Sequence, residues 1–124
     1  MFFSEVTEML ESRFQAELIE ELKDLFPGCV VLKNDPNYIQ GFPDLLILHK
    51  DRWAALEVKA SRSARHQPNQ NWYIDLLDNL AYAAFIYPEN KVEILDALQH
   101  ALGPRRGARR TQRVEVPLDS VFRR

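Results

Sequence analysis

Gly41-Phe42-Pro43-Asp44-Leu45-Leu46-Ile47-Leu48-His49-Lys50-Asp51-Arg52-Trp53-Ala54-Ala55-Leu56-Glu57-Val58-Lys59 consists of two apolar runs around a polar break, closed at both outer ends by charge. Residues 45–48 and 53–56 have β-prone members, and His49-Lys50-Asp51-Arg52 is polar enough to turn, so the stretch reads as a β-hairpin. With the turn centred on Lys50-Asp51, antiparallel pairing sets Asp44 opposite Glu57 on one face of the sheet. Lys59, two residues beyond Glu57, falls on the same face. Taken singly, Asp44 after a proline is a turn former, and Glu57 and Lys59 are ordinary charges of a half-exposed strand. Together they gather two carboxylates and a lysine at the open end of an apolar hairpin. Facing carboxylates repel in a bare protein, so the pairing makes sense mainly around a divalent cation.

Upstream, residues 4–26 hold no Gly or Pro, and Pro27-Gly28 is a stop signal, which predicts a long first helix. At 100° per residue, Phe14, Leu18, Leu22 and Leu25 form an apolar stripe with Leu10, Ile19 and Phe26 at its margins, and Glu11 falls in its middle. A carboxylate facing a core needs a partner: a metal, or a buried salt bridge that Lys59 would supply. Gln15, one turn on, points the same way. The remaining order is a strand at 29–33, a loop at 34–40, the hairpin strands at 43–48 and 53–59, a helix at about 69–83, a strand at 84–87 and a helix at about 89–102. That αβββαβ order with a trailing helix predicts an α/β sandwich whose central mixed sheet is flanked by helices. The strand after the second helix returns as a crossover. The loop at 34–40 leads into Gly41 and Pro43 and serves either as a wall of a groove or as a plain connector.

One domain fits 124 residues that are 46% hydrophobic, over about 1–102, followed by an arm over 103–124. No run is long and apolar enough for a membrane span, and acids stand where a signal peptide carries lysine or arginine, which predicts a cytoplasmic protein with no membrane partner. Cys29 reads as a small hydrophobe in a reducing compartment. His49, His66 and His100 lack ligand spacing, so no zinc site is expected. The formal charge of −2 hides a division. Seven arginines against Glu115 and Asp119 give 103–124 a net of +5, which leaves −7 for the first 102 residues. Arg105, Arg106, Arg109 and Arg110 make the arm either a phosphate-gripping element or an ordinary solvated terminus. Val114-Glu115-Val116 within it has the alternation of a short edge strand, in this chain or against another. Closer to the hairpin, Arg62 and Arg65 lie among small residues after Lys59, suited to a phosphate. Trp72, Tyr73, Tyr82, Phe85 and Tyr87 are spaced as core residues, and the wide apolar arc of Ile74, Leu76, Leu77, Leu80 and Ala81 suits a homodimer interface.

Glu11 on a first helix, Pro43-Asp44, and then Glu57-Val58-Lys59 resemble, in order and spacing, the PD-(D/E)XK nuclease superfamily, whose fold is the restriction-endonuclease-like αβββαβ core. The likeness covers roughly residues 4–100. Gln70, in Gln67-Pro68-Asn69-Gln70, resembles the glutamine that small members carry at the start of the helix after the lysine strand. The resemblance implies Asp44 and Glu57 as metal ligands with the Val58 carbonyl as a third, and Glu11 completing the acidic cluster directly or through water. It further implies Lys59 as the residue that orients or deprotonates water, and Gln70 as an accessory residue. Hard carboxylate oxygens suit Mg²⁺, with Mn²⁺ as substitute. The expected function is a Mg²⁺-dependent DNA endonuclease. Small single-domain members similar to phage or archaeal junction-resolving nucleases suggest branched DNA, of the Holliday-junction type, as substrate. The alternative is a nucleic-acid-binding protein of the same fold that does not cut.

Overall fold

The computed structural model describes residues 2–103, so Arg105, Arg106, Arg109, Arg110 and the stretch 114–118 lie outside the described residues. The order is α1 (Phe2–Leu25), β1 (Val30–Lys33), β2 (Leu45–His49), β3 (Arg52–Val58), α2 (Gln70–Leu80), β4 (Tyr82–Ile86), a 3-10 turn at Pro88–Asn90 and α3 (Lys91–Leu102). The strands form one four-stranded mixed sheet in the order β1-β2-β3-β4, flanked by helices. It is the α/β architecture expected from the αβββαβ pattern.

The hairpin turns at the two residues Lys50 and Asp51, with His49 opposite Arg52. Lys50 takes a positive φ of 58°, as short hairpin turns that follow the natural strand twist require. The pairing of Leu45 with Leu56 continues to Asp44 and Glu57 at the far end. The ladder proper starts at Leu45 and runs to Val58, one residue inside the expected charged ends. β1 joins β2 antiparallel, and β4 lies parallel to β3 with Val58 beside Ile86, so α2 is the crossover between them.

Apolar residues divide between the two faces. Leu18 and Leu22 of α1, Phe26 just after it, and Leu98 and Leu102 of α3 pack with Leu45, Ile47, Leu56 and Val58 on one face. Ile74 and Leu77 of α2 pack on Ala55 and Ala83 on the other, with Phe42, Leu46, Trp53 and Phe85 around them. The α1 stripe is therefore right at Leu18, Leu22 and Phe26, while Leu10 is exposed because the first turns of the helix run past the sheet. α1 ends through Gly28, whose φ of +88° favours glycine, and Cys29 N–H donates to the Phe26 carbonyl at 2.9 Å.

The boundaries around α2 and the last helix differ most from the sequence reading. α2 stops at Leu80 rather than at 83, because Ala81 leaves helical angles and the Asp78 side chain accepts a hydrogen bond from Ala83 N–H at 3.1 Å. Ala83, a good helix former, becomes strand because its small side chain suits the close parallel register against Ala55. The last helix begins at Lys91, with Glu89 in the 3-10 turn before it. Trp72, expected in the core, is 60% exposed beside Tyr73. No helix among the described residues is long and apolar enough to cross a membrane.

Candidate active site

Asp44, Glu57 and Lys59 come together at the end of the hairpin remote from its turn, on the sheet face that carries α2. Each strand delivers its charge by register alone. Asp44 is fixed from both sides: its Oδ2 accepts from Val58 N–H at 2.9 Å, and its backbone carbonyl accepts from Asn34 N–H at 2.8 Å. Asn34 also donates from Nδ2 to the Pro43 carbonyl at 2.7 Å, so the loop after β1 braces the Pro-Asp turn. In an extended strand the N–H and C=O of one residue point the same way. Val58 therefore aims its carbonyl toward the Asp44 side.

Glu57, Lys59 and Gln70 are all buried, at 4%, 5% and 8% exposure. They form one network. Gln70, the first residue of α2, donates from Nε2 to Glu57 Oε2 at 2.9 Å, and its Oε1 accepts from Lys59 Nζ at 2.7 Å and from Gln67 N–H at 2.8 Å. Lys59 Nζ also donates to the Arg65 carbonyl at 3.0 Å and stands 3.8 Å from Glu57 Oε2. Gln70 thus uses both ends of its amide to hold an acid and a base on the same strand, a fit no hydroxyl or carboxylate side chain reproduces.

Electrostatically the acids are in conflict. Burial first, then the neighbouring Asp44, pushes the Glu57 carboxyl up to about 8, with Lys59 offsetting only part of this. Asp44 is also raised, by burial, against the lowering effect of Val58 N–H and its hydrogen bond with Glu57. Without a bound cation the pair shares a proton held mainly by Glu57. With both ionised, Glu57 Oε1 is buried with no hydrogen-bond donor. A polar atom stranded in this way, beside a second carboxylate and a carbonyl, fits a hard divalent cation.

Glu11 approaches from α1. It is half-buried, and its carboxyl is raised by burial and then by Asp44, with Lys59 acting in the opposite direction. The salt bridge from Lys59 to Glu11 weighed as an alternative does not form, since Lys59 Nζ is engaged by Gln70 and Arg65. Among the described residues, no group of three or more His, Cys, Asp or Glu side chains gathers at metal-ligating distance. Glu11 acts on the site through its field, its carboxyl raised by burial and Asp44 and in turn raising that of Glu57.

Arg62 and Arg65 lie on the loop between β3 and α2, both exposed. Arg62 places its guanidinium 5.8 Å from the Tyr87 ring centroid, and its N–H donates to Glu89 Oε1 at 3.1 Å. Three contributors escaped the sequence reading. The Arg65 carbonyl binds Lys59 through the backbone, which side-chain identity does not signal. Asn34 looked like any loop residue. Gly41, with φ of +88°, lies so close to the Pro68-Asn69 turn that a Cβ there would stand 2.7 Å from Asn69 Cβ. Only glycine lets the Pro-Asp loop press against the start of α2 and set Gln70 over the acids.

Comparison of this chain with family models, with curated proteins and with solved structures finds no match.

Proposed function

We propose that this protein is a Mg²⁺-dependent endonuclease of the PD-(D/E)XK kind, hydrolysing phosphodiester bonds in DNA, with branched DNA as the preferred substrate. The observation that carries the reading is the half-buried Asp44 set against the buried Glu57, whose carboxyl it helps raise, with Glu57 joined through Gln70 to a buried lysine two residues further along the chain. Asp44, Glu57 and the Val58 carbonyl would hold the ion, with Mn²⁺ as a substitute. When bound, it would supply Lewis-acid polarisation of a phosphate oxygen and acidify water.

The chain's own groups would do the rest. Two protons of Lys59 Nζ go to Gln70 and Arg65, and with Nζ 3.8 Å from Glu57 Oε2 the third would be left to orient the attacking water and balance charge on the phosphate. The water oxygen would form the new bond to phosphorus as the bond to one sugar oxygen breaks, the water proton passing to solvent and the leaving sugar oxygen taking a proton from solvent to become a hydroxyl. Gln70 would act as a positioning residue that keeps Lys59 and Glu57 apart by one amide. Glu11 would add negative potential that favours the cation. Arg62 and Arg65, exposed beside the site, would meet flanking phosphates, and the arginines at 105, 106, 109 and 110 would extend that contact. Trp72, Leu76 and Leu80, exposed along α2, support pairing of two copies.

The test is incubation of the purified chain with plasmid, linear duplex, single strands and four-way junctions in Mg²⁺, Mn²⁺ or EDTA. Cleavage that needs the metal and favours junctions supports the reading. Binding without cleavage of any substrate would instead select the non-cutting nucleic-acid-binding protein.

A further inference from the structure

α2 covers β3, β4 and the Leu46 end of β2 but leaves the same face of β1 and the Leu48 end of β2 open. Val30 is 49% exposed, Leu32 43% and Leu48 38%, a contiguous apolar strip in which Val30 pairs with Leu48. β1 is also an edge. Asn34 N–H donates inward to the Asp44 carbonyl, so by alternation Leu32 and Val30 also bond inward to β2. The N–H and C=O of Val31 and Lys33 then point outward, with no partner strand among the described residues. The other edge, β4, differs: Ala83 and Ile86 are buried under helices on its two faces. An apolar, unpaired edge is a template that folded proteins usually cover.

We propose that residues 114–118 of the same chain cover it, adding a fifth strand parallel to β1. This inference does not depend on the nuclease reading. Three observations select that occupant. The sequence Val114-Glu115-Val116-Pro117-Leu118 alternates with period two, so Val114, Val116 and Leu118 share the face of Val30 and Leu32. In a parallel ladder with Val116 beside Leu32, residues 114, 116 and 118 bond inward. Pro117, which has no N–H, then faces solvent, the place where an edge strand tolerates proline. Glu115 lands on the face of Lys33 and diagonal to it, a favourable charge pairing.

The direction follows from where α3 ends. Arg52 Nη1 donates to the Ala101 carbonyl at 3.0 Å, tying the end of α3 to the start of β3, at the same end of the sheet as Val30. From there to β1 is two strand spacings, ~10 Å, plus the reach of one arginine side chain. The ten residues 104–113 span up to ~33 Å. A chain that starts at that end and runs alongside β1 enters at Val30 and leaves at Lys33, which is the parallel direction.

Disulfide trapping in the full chain tests this. Leu32→Cys and Val116→Cys are combined with Cys29→Ser; neighbouring strands bring Cα atoms within the range a disulfide bridges. Mild oxidation of dilute protein is expected to give a monomer with an internal disulfide, seen as faster migration on a non-reducing gel. Hydrogen exchange on the unmodified chain gives a second reading. The Val31 and Lys33 amides should exchange about 100-fold more slowly than in a V114D/V116D variant. Disulfides only between chains would overturn the proposal by giving the edge to a second copy. No disulfide, with the two amides exchanging at equal rates in both proteins, would overturn it as well.

Discussion

Without a divalent cation, the Asp44–Glu57 pair should make this protein less stable as pH rises through neutrality. Glu57 is 4% exposed, and its carboxyl is raised from 4.5 to about 8 by burial and by Asp44. In the unfolded chain Glu57 loses its proton near 4.5, whereas the folded protein keeps it until about 8. Between those values the folded state binds more protons, so stability is complete below the unfolded pKa and is lost as pH climbs toward the folded one. The slope for one proton is about 1.4 kcal/mol per pH unit. His49, lowered by burial, works in the opposite direction but only below its ordinary value of 6.5. The clean window is therefore pH 6.5 to 8, where the loss should reach about 2 kcal/mol, a fall in Tm on the order of 10 °C for a domain of this size. Differential scanning calorimetry in EDTA measures it. Glu57→Gln, which carries no titrating proton, should flatten the curve. Mg²⁺ should flatten it as well, stabilising the wild type more at pH 8 than at pH 6.5 because binding must displace the proton. A Tm that is level across the window in wild type, or the same slope in Glu57→Gln, would refute the reasoning.

Asp44→Asn should weaken Mn²⁺ binding by at least about 100-fold by isothermal titration while leaving the circular dichroism spectrum unchanged, since it removes a charged oxygen and little volume. Gln70→Ala should cost about 1–3 kcal/mol in urea unfolding, because it strips partners from Glu57 Oε2, Lys59 Nζ and Gln67 N–H at once. Unaltered stability would mean that water replaces the amide without loss. Glu11→Gln should keep or raise Tm in EDTA, by relieving a half-buried acid next to Asp44, and should lower cleavage in Mg²⁺. A large drop in Tm would show instead that Glu11 has a stabilising partner.

The hairpin was legible because its information is local. Two apolar runs and a four-residue polar break set a period-two register, and that register alone puts Asp44 across from Glu57 and Lys59 beside it. Gln70 was placed at a helix start by resemblance, and it stands there, but its double role as donor and acceptor follows only from the packing of α2 on β3. Glu11 was legible as an acid in an apolar stripe, yet a helical projection fixes direction and not distance, so it did not reveal that Lys59 would be taken by Gln70 and the Arg65 carbonyl. The end of α2 was misread because Ala81 and Ala83 favour helix by propensity, while the parallel pairing of Ala83 with Ala55 makes it strand. The contribution of Gly41 was hidden for a similar reason. Its packing against Asn69, too close to admit a Cβ, joins two loops that are far apart in sequence.

The most direct measurement of the central claim is single-turnover cleavage of a four-way junction and of supercoiled plasmid by the full chain and by Lys59→Met, each in Mg²⁺ and in EDTA. Lys59→Met keeps the length of the side chain and removes the Nζ bonds to Gln70 and Arg65. The account predicts cutting by the wild type in Mg²⁺, none in EDTA, and a loss of at least about 100-fold in Lys59→Met at saturating DNA. Metal-dependent cutting that survives in Lys59→Met, or a wild-type protein that binds Mg²⁺ and junction DNA without breaking a phosphodiester bond, would contradict it.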